Sequence, residues 1–428
     1  CLGGSRIVAP SAVVTLSAAQ QLQCGTSSTL MTVSSLTAFS GNVLSLPAVT
    51  AGGSVTVTGA VSLALTGAVT ATSSITITAA SVAVSAIITT KDMTMDVTSL
   101  TLSSSTTLLV DGRGTATAGV GGYVSMSSGS SAYNQGAPGG GGGHGGRGGG
   151  VAARRGAFYG SVQEPVTHGS AGGAGKTHYY SSWSWRVNTR NGGAGGGRVR
   201  LKVSDTLSMA TGSIITSRGS VGTAGQDYGG WSSSWYEAGG GGGGGGSIWI
   251  TVSSLVGTGT IRANGGTGGA GYNPGGGGAG GRIAIHYASQ LSSTVAREAF
   301  GGSASSSAAG YGAAGTCFTS NTVANITRLN VDNNGRTTAS YTGLNGDGEM
   351  TITDAVLTNA GRVWDTSSFT LTVVTLDVSG TSSSLYATTA LTVLASTTVS
   401  FSSSGAIVSP AFSIVAGTSI TLDSTVTS

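Results

Sequence analysis

Charge is the scarcest thing in this sequence. Only 8% of its 428 residues are Asp, Glu, Lys or Arg, whereas a soluble globular enzyme carries about a quarter. The net charge of +4 is spread thinly. The densest basic stretch, residues 147–155, is too sparse to follow a phosphate backbone, which argues against nucleic acid as a partner. Long apolar runs are missing as well: Ser, Thr or Gly breaks every one before it reaches the roughly 18 residues of a membrane span. Three cysteines permit at most one internal disulfide. The four histidines, His144, His168, His178 and His286, lack metal-ligand spacing and nearby thiols, so neither a zinc site nor any other cofactor is expected. Asn-Gly and Asp-Gly pairs are scarce, which argues against a sheet built from tight hairpins.

What the sequence does contain is a rhythm. Between residues 55 and 110, short alternating runs place two or three apolar residues on one side, the period-2 pattern of half-buried strands. They come in threes: Val55/Val57, Leu63/Leu65 and Val69; Ile75/Ile77, Val82/Val84 and Ile87; Met93/Met95, Leu100/Leu102 and Leu108. The triplets open at residues 55, 75 and 93, and similar units open at Met350, Phe369, Leu391 and Phe412. A period near 20 with three strands per period predicts an all-β fold, a parallel, right-handed β-helix or solenoid with triangular coils. Cys1 and Cys24 then fall about one coil apart, at the spacing of stacked strands, and are the disulfide candidates.

The other abundance is glycine, 76 residues in all. Three glycine-rich tracts, at about 115–197, 219–246 and 264–281, each end in a strand: "GGRVRLKV", "GGSIWITV" and "GGRIAIHY". The first two strands lead to Leu207 and Ile214, and to Leu255 and Ile261, in the order of the triplets above. The tracts therefore read as loops inserted at one corner of successive coils, where stacked strands stay paired. The expected organisation is one continuous elongated domain: Ser/Thr/Val-rich coils over 1–114, coils with long corner loops over 115–349, and further coils over 350–428.

The units "GGSIWI…ANGG…GGGGAGGRIAIHY" and "AAGT…RLNVDNNGR" resemble those of very large extracellular glycine-rich surface proteins of protists and some bacteria, of the flagellar-hair (mastigoneme) or cell-surface filament type. The resemblance covers about residues 100–340 and implies a fibrous, extracellular role. Cys317 stands where that family usually has an aromatic strand residue after "AAGT".

Other motifs weigh less. "GSAGGAGKT" at residues 169–177 imitates a phosphate-binding loop, but its first glycine is one place too early and no strand precedes it. "VDNNGR" and "NGDGE" read as tight turns rather than calcium loops. Acidic residues are scattered, so the paired carboxylates of a β-helical polysaccharide lyase or hydrolase are not evident, and no enzyme is expected. Tyr179, Tyr180, Trp183, Trp185, Trp231, Trp235 and Tyr236 sit within glycine loops and are contact-surface candidates, or else pack the loops on their own coils. Asn325 heads the sequon Asn-Ile-Thr, a glycosylation candidate.

The sequence thus points to a structural, self-assembling subunit of an extracellular or cell-surface filament. Its partners would be copies of itself, head-to-tail and lateral, with covalent glycans, no nucleic acid and no membrane span. The head-to-tail contact is expected because neither end of the chain shows a polar cap. The alternatives are an adhesin or carbohydrate-binding solenoid and, third, the β-helical enzyme.

Overall fold

The computed structural model describes residues 7–16, 31–39, 43–46, 48–114, 117, 119–122, 136–181, 184–225, 237–304, 310–344, 350–365, 369–387, 391–402, 405–408, 412–416 and 419–423. Apart from one short 3-10 turn at Ala152–Arg154, its regular structure is entirely strand, and most strands pair in parallel. Alternating Val, Ile, Leu and Thr favour extended backbone, and residues recurring two apart line one face.

The first ladder holds the long strands. Ile7–Leu16 and Met31–Phe39 lead into Val55–Leu65, Ser74–Val84, Asp92–Leu102, Arg198–Met209, Ser247–Gly257, Arg282–Leu291 and Thr316–Asn321, each parallel to the next. One ladder position reads Val55, Ile75, Met93, Val199, Ile248 and Ile283, all essentially inaccessible to solvent. A companion ladder of three-residue strands runs Val49–Ala51, Val69–Ala71, Ile87–Thr89, Thr107–Leu109, Ile214–Thr216, Thr260–Arg262 and Ala296–Glu298. The glycine tracts all leave after a short strand and return at the next long one.

Two details differ from the sequence reading. The first two strands of each expected triplet are a single long strand. Along Ser74–Val84 burial alternates, slips at Ala80 and Ser81, then resumes on a new face. In Val55–Leu65 the register shift falls between Thr58 and Ala60, where Gly59 has φ +73°. One extra residue turns the corner while the ladder of hydrogen bonds continues, so no loop is needed. In the Ile-Ile pairs it is the second residue that faces inward: Ile88 and Ile215 are buried, whereas Ile87 is 48% exposed.

The parallel order breaks once near residue 320. Thr316–Asn321 pairs antiparallel with Ile326–Asp332, which starts a second parallel ladder through Met350–Thr358, Phe369–Val378 and Leu391–Ser402 to Phe412–Ala416 and Ser419–Asp423. Here Met350 lies beside Leu371 rather than Phe369, while Phe369, Leu391 and Phe412 share a position as expected. The reversal has a local cause. The Asn321 side chain accepts hydrogen bonds from the amides of Val323 and Ala324, and Asn325 adopts φ +54°, so the chain turns back within four residues. The apolar interior falls into two clusters, one within the first ladder and the other under the second ladder, the latter extended by Val162, Ala284 and Phe318.

Candidate functional site

The glycine tracts are interior structure. In residues 239–246 every residue is buried, and the amides bond outward in a strict rotation of three. Gly240, Gly243 and Gly246 donate to Thr223, Ser220 and Ser217; Gly241 and Gly244 donate to Gly173 and Ser170; Gly239, Gly242 and Gly245 donate to Asn273, Gly276 and Ala279. The carbonyls accept with the same period: from Gly269 and Gly266, from Gly193 and Gly196, and from Gly139 and Gly142. All these bonds measure 2.7–3.0 Å. Three segments receive donors and three others supply them, so this run is the centre of a hexagonal bundle.

A three-residue period belongs to the extended polyproline II-type helix, which has no internal hydrogen bonds and presents its N–H and C=O groups radially. In water those groups would be solvated; here each finds a neighbouring segment instead. Segments 273–281 and 139–143 repeat the pattern: Gly275, Gly278 and Gly281 donate to Gly269, Gly266 and Ala263, and Gly140 and Gly143 to Gly122 and Gly119. Glycine is required here by proximity rather than by backbone angle, since none of residues 239–246 has positive φ. A Cβ on Gly243 would overlap the Ala194 carbonyl, and one on Gly275 the Gly240 carbonyl. Among the described residues, therefore, the tracts do not offer their glycines as an exposed contact surface, and the outer segments meet solvent, as at Val221, 65% exposed.

A strap, residues 159–168, ties this bundle to the first ladder. It crosses the entry position of successive long strands, where Asp92, Arg198, Ser247, Arg282 and Thr316 stand in register. His168 lies 2.7 Å from the Asp92 carboxylate, and Arg198 donates to the Val166 carbonyl at 3.3 Å. Ser247 donates to the Thr167 carbonyl at 2.5 Å, and Arg282 to the Tyr159 carbonyl at 3.0 Å. His286 donates to the Gln163 carbonyl at 2.8 Å. Burial works to raise the Asp92 pKa, but the hydrogen bond from His168 and the charges of His168, Arg198 and Lys91 outweigh it and hold the carboxyl below its ordinary range.

At the centre of these ties is His144, fully buried. Its Nδ1–H donates to Gly245 O at 2.8 Å, which leaves Nε2 to accept from the Thr167 hydroxyl at 2.8 Å. Burial, reinforced by the nearby Arg282 charge, lowers its pKa to about 3, so the ring is neutral. Arg282, also fully buried, further donates to Gly343 O at 3.1 Å. Tyr159 donates to the His168 carbonyl at 2.6 Å and accepts from Ser170, and burial raises its pKa to about 12.

These groups hold structure, and four further carboxylates do likewise. Asp96 pairs with Lys202, Asp111 with Arg218, Glu237 with Arg190, and Asp354 with Arg328. Among the described residues no group of three or more His, Cys, Asp or Glu converges as for a metal. Gly175, Lys176 and Thr177 open a strand, not the helix a phosphate-binding loop needs.

The sequence-derived candidates fall as follows. Asn325 is exposed at the tip of the 321–326 turn. Cys1, Cys24, Trp183, Trp231, Trp235 and Tyr236 lie outside the described residues. Tyr179, Tyr180 and Trp185 lie on an antiparallel hairpin of Gly175–Ser181 and Ser184–Arg190, Tyr180 across from Trp185. Cys317 is a buried free thiol, its pKa pushed up by burial to about 12. Aromatic packing that the sequence did not single out joins Trp364 to Phe158, Tyr341 and Tyr386, with Arg147 over the Trp364 ring. No family model, curated protein or solved structure matches this chain.

Two outcomes follow from the bundle and its anchor. Gly243→Ala should destabilise by about 3 kcal/mol or more, since it forces packed backbones apart and breaks buried hydrogen bonds. Gly335→Ala, strained only by φ +71° with open space around it, should cost about 1–2 kcal/mol; denaturant unfolding of both variants checks the ranking. His144 is depressed in the folded state, so the unfolded chain takes up its proton first, and stability present above pH 6.5 is lost as pH falls toward 3. The slope from this group should be about 1.4 kcal/mol per pH unit, and unfolding of His144→Gln measured over the same range should lack that component.

Proposed function

We propose that this chain is a β-solenoid, right-handed by the general preference of parallel crossover connections, and that it serves as a structural subunit of an extracellular filament or cell-surface fibre. The observation that carries the reading is residues 239–246, hydrogen-bonded on all sides to other segments. The most abundant residue type in the chain is thereby committed to making a dense, directional body beside a ladder of stacked strands. Such a body resists deformation along its axis because the amides of its central run already have partners. Five carboxylates, those of Asp92, Asp96, Asp111, Glu237 and Asp354, are likewise taken up in ion pairs with Arg, Lys or His.

Exposed Asn325, at the tip of a turn, is the natural acceptor for an N-glycan on the fibre's surface. The boundaries 1–114, 115–349 and 350–428 then describe stretches of one rod that differ in how much chain each coil inserts at its corner.

Electron microscopy of the purified chain tests assembly: ordered filaments are expected, and a uniform population of isolated short rods across salt and concentration would overturn it. Mass spectrometry of protein from a secreting eukaryotic host should find the peptide bearing Asn325 heavier by a glycan, and Asn325→Gln should abolish that increment.

A further inference from the structure

The first ladder ends on a change of chemistry. Along the short strands one inward position reads Ile88, Leu108, Ile215 and Ile261, all buried and apolar, and then Arg297. Along the long strands the columns Ile248–Ile283 and Ile250–Ile285 end in Cys317 and Thr319. The last coil thus replaces three core hydrocarbons with a guanidinium, a thiol and a hydroxyl. A merely solvated end would leave those groups in water, but here they line a cleft of about 360 Å³. Its far wall is the beginning of the second ladder, where Asn330 pairs with Cys317 and with Val356.

The charged side chains that line this cleft, Arg297 and Arg328, are both cationic. Arg297 Nη1 is buried and has no hydrogen-bond partner, so a strong donor stands unsatisfied. Arg328 also lines the cleft, its Nε bonded to Asp354 at 2.8 Å, and no carboxylate is among the lining residues. Ser293 and Thr319 add hydroxyls and Asn330 an amide. Glu298, next in sequence, accepts from the Asn264 side chain at 3.0 Å; its charge and that of Asp332 act on Cys317, but neither residue lines the cleft. Cys317 contributes no negative charge, because burial keeps its thiol protonated. A guanidinium backed by neutral donors in a pocket of this size matches a small oxyanion, with room for a ring attached to it.

We propose that this cleft binds a carboxylate- or sulfate-bearing small molecule, with Arg297 as its principal anchor. The anionic group could come from a free ion or from an acidic sugar, and the probes separate the two. Titration calorimetry of the full chain with acetate, sulfate and glucuronate should give saturable binding to at least one. If acetate or sulfate binds as tightly as glucuronate, the anionic group suffices; if only glucuronate binds, the sugar ring contributes; both results support the site. Arg297→Leu should weaken binding by about ten-fold or more, the effect of losing a hydrogen bond to a charged group, while melting at the wild-type temperature or above, since it restores the apolar column.

A second measurement does not depend on that variant folding. Labelling of Cys317 by a neutral maleimide, read on its own peptide, should slow several-fold when the anion saturates the cleft, about as expected for a ligand that covers most of a pocket. Absence of binding by all three probes, with labelling of Cys317 unchanged, would overturn the proposal. So would undiminished affinity in folded Arg297→Leu.

Discussion

An amide donating to a carbonyl of a different segment, repeated every third residue in three directions, is the contact on which this molecule depends. It is strong enough to matter only because water is absent and close enough to form only because no side chain intervenes. A single Cβ would hold two segments apart, and a central run that touches six other segments has no slack to absorb it. The glycine content, which in an isolated sequence reads as disorder, is therefore the condition for order.

The strand ladders and the bundle stabilise each other mainly through polar groups, while Val162 of the strap joins Ala284 and Phe318 of the first ladder in an apolar cluster. The ladders have aliphatic interiors of their own, and the bundle has almost no side chains with which to reach them. The connection runs through one column at the strand entries, Asp92, Arg198, Ser247 and Arg282, gripping the strap at residues 159–168. A buried arginine and a buried neutral histidine are costly to desolvate unless their hydrogen bonds are made. That requirement fixes the strap in one place, since a slipped strap would leave those groups unpaired.

Much of the ladder was legible. Period-2 runs recurring near every twentieth residue gave Val55, Ile75 and Met93 a common position. The choice between Ile87 and Ile88 was not legible, because two adjacent isoleucines satisfy the same pattern in either phase. Fusion of two strands into one was hidden for a similar reason: a single-residue bulge leaves no turn residues to read. The hairpin at residues 321–326 had a signal in Asn321 and Asn325, of which Asn325 also heads the sequon. The bundle itself left no trace in side-chain patterning, since its information lies in backbone amides. What did mark its attachment points was the residue after each glycine run, Arg198, Ser247, Arg282 and Thr316, polar where the next residues are apolar.

The threefold rotation of amides also constrains how such a chain can change length over generations. Adding three residues to a glycine segment extends it by one full turn and returns every donor to its former direction. Adding one or two rotates all later donors by a third or two-thirds of a turn, toward neighbours that are not waiting for them. Because the segments accept partners running either way, orientation matters less than phase. Drift in the length of these tracts is thus quantised, with whole triplets of residues as the tolerated step, and a lineage of such proteins would differ by multiples of three within the packed segments while varying freely at the outer turns.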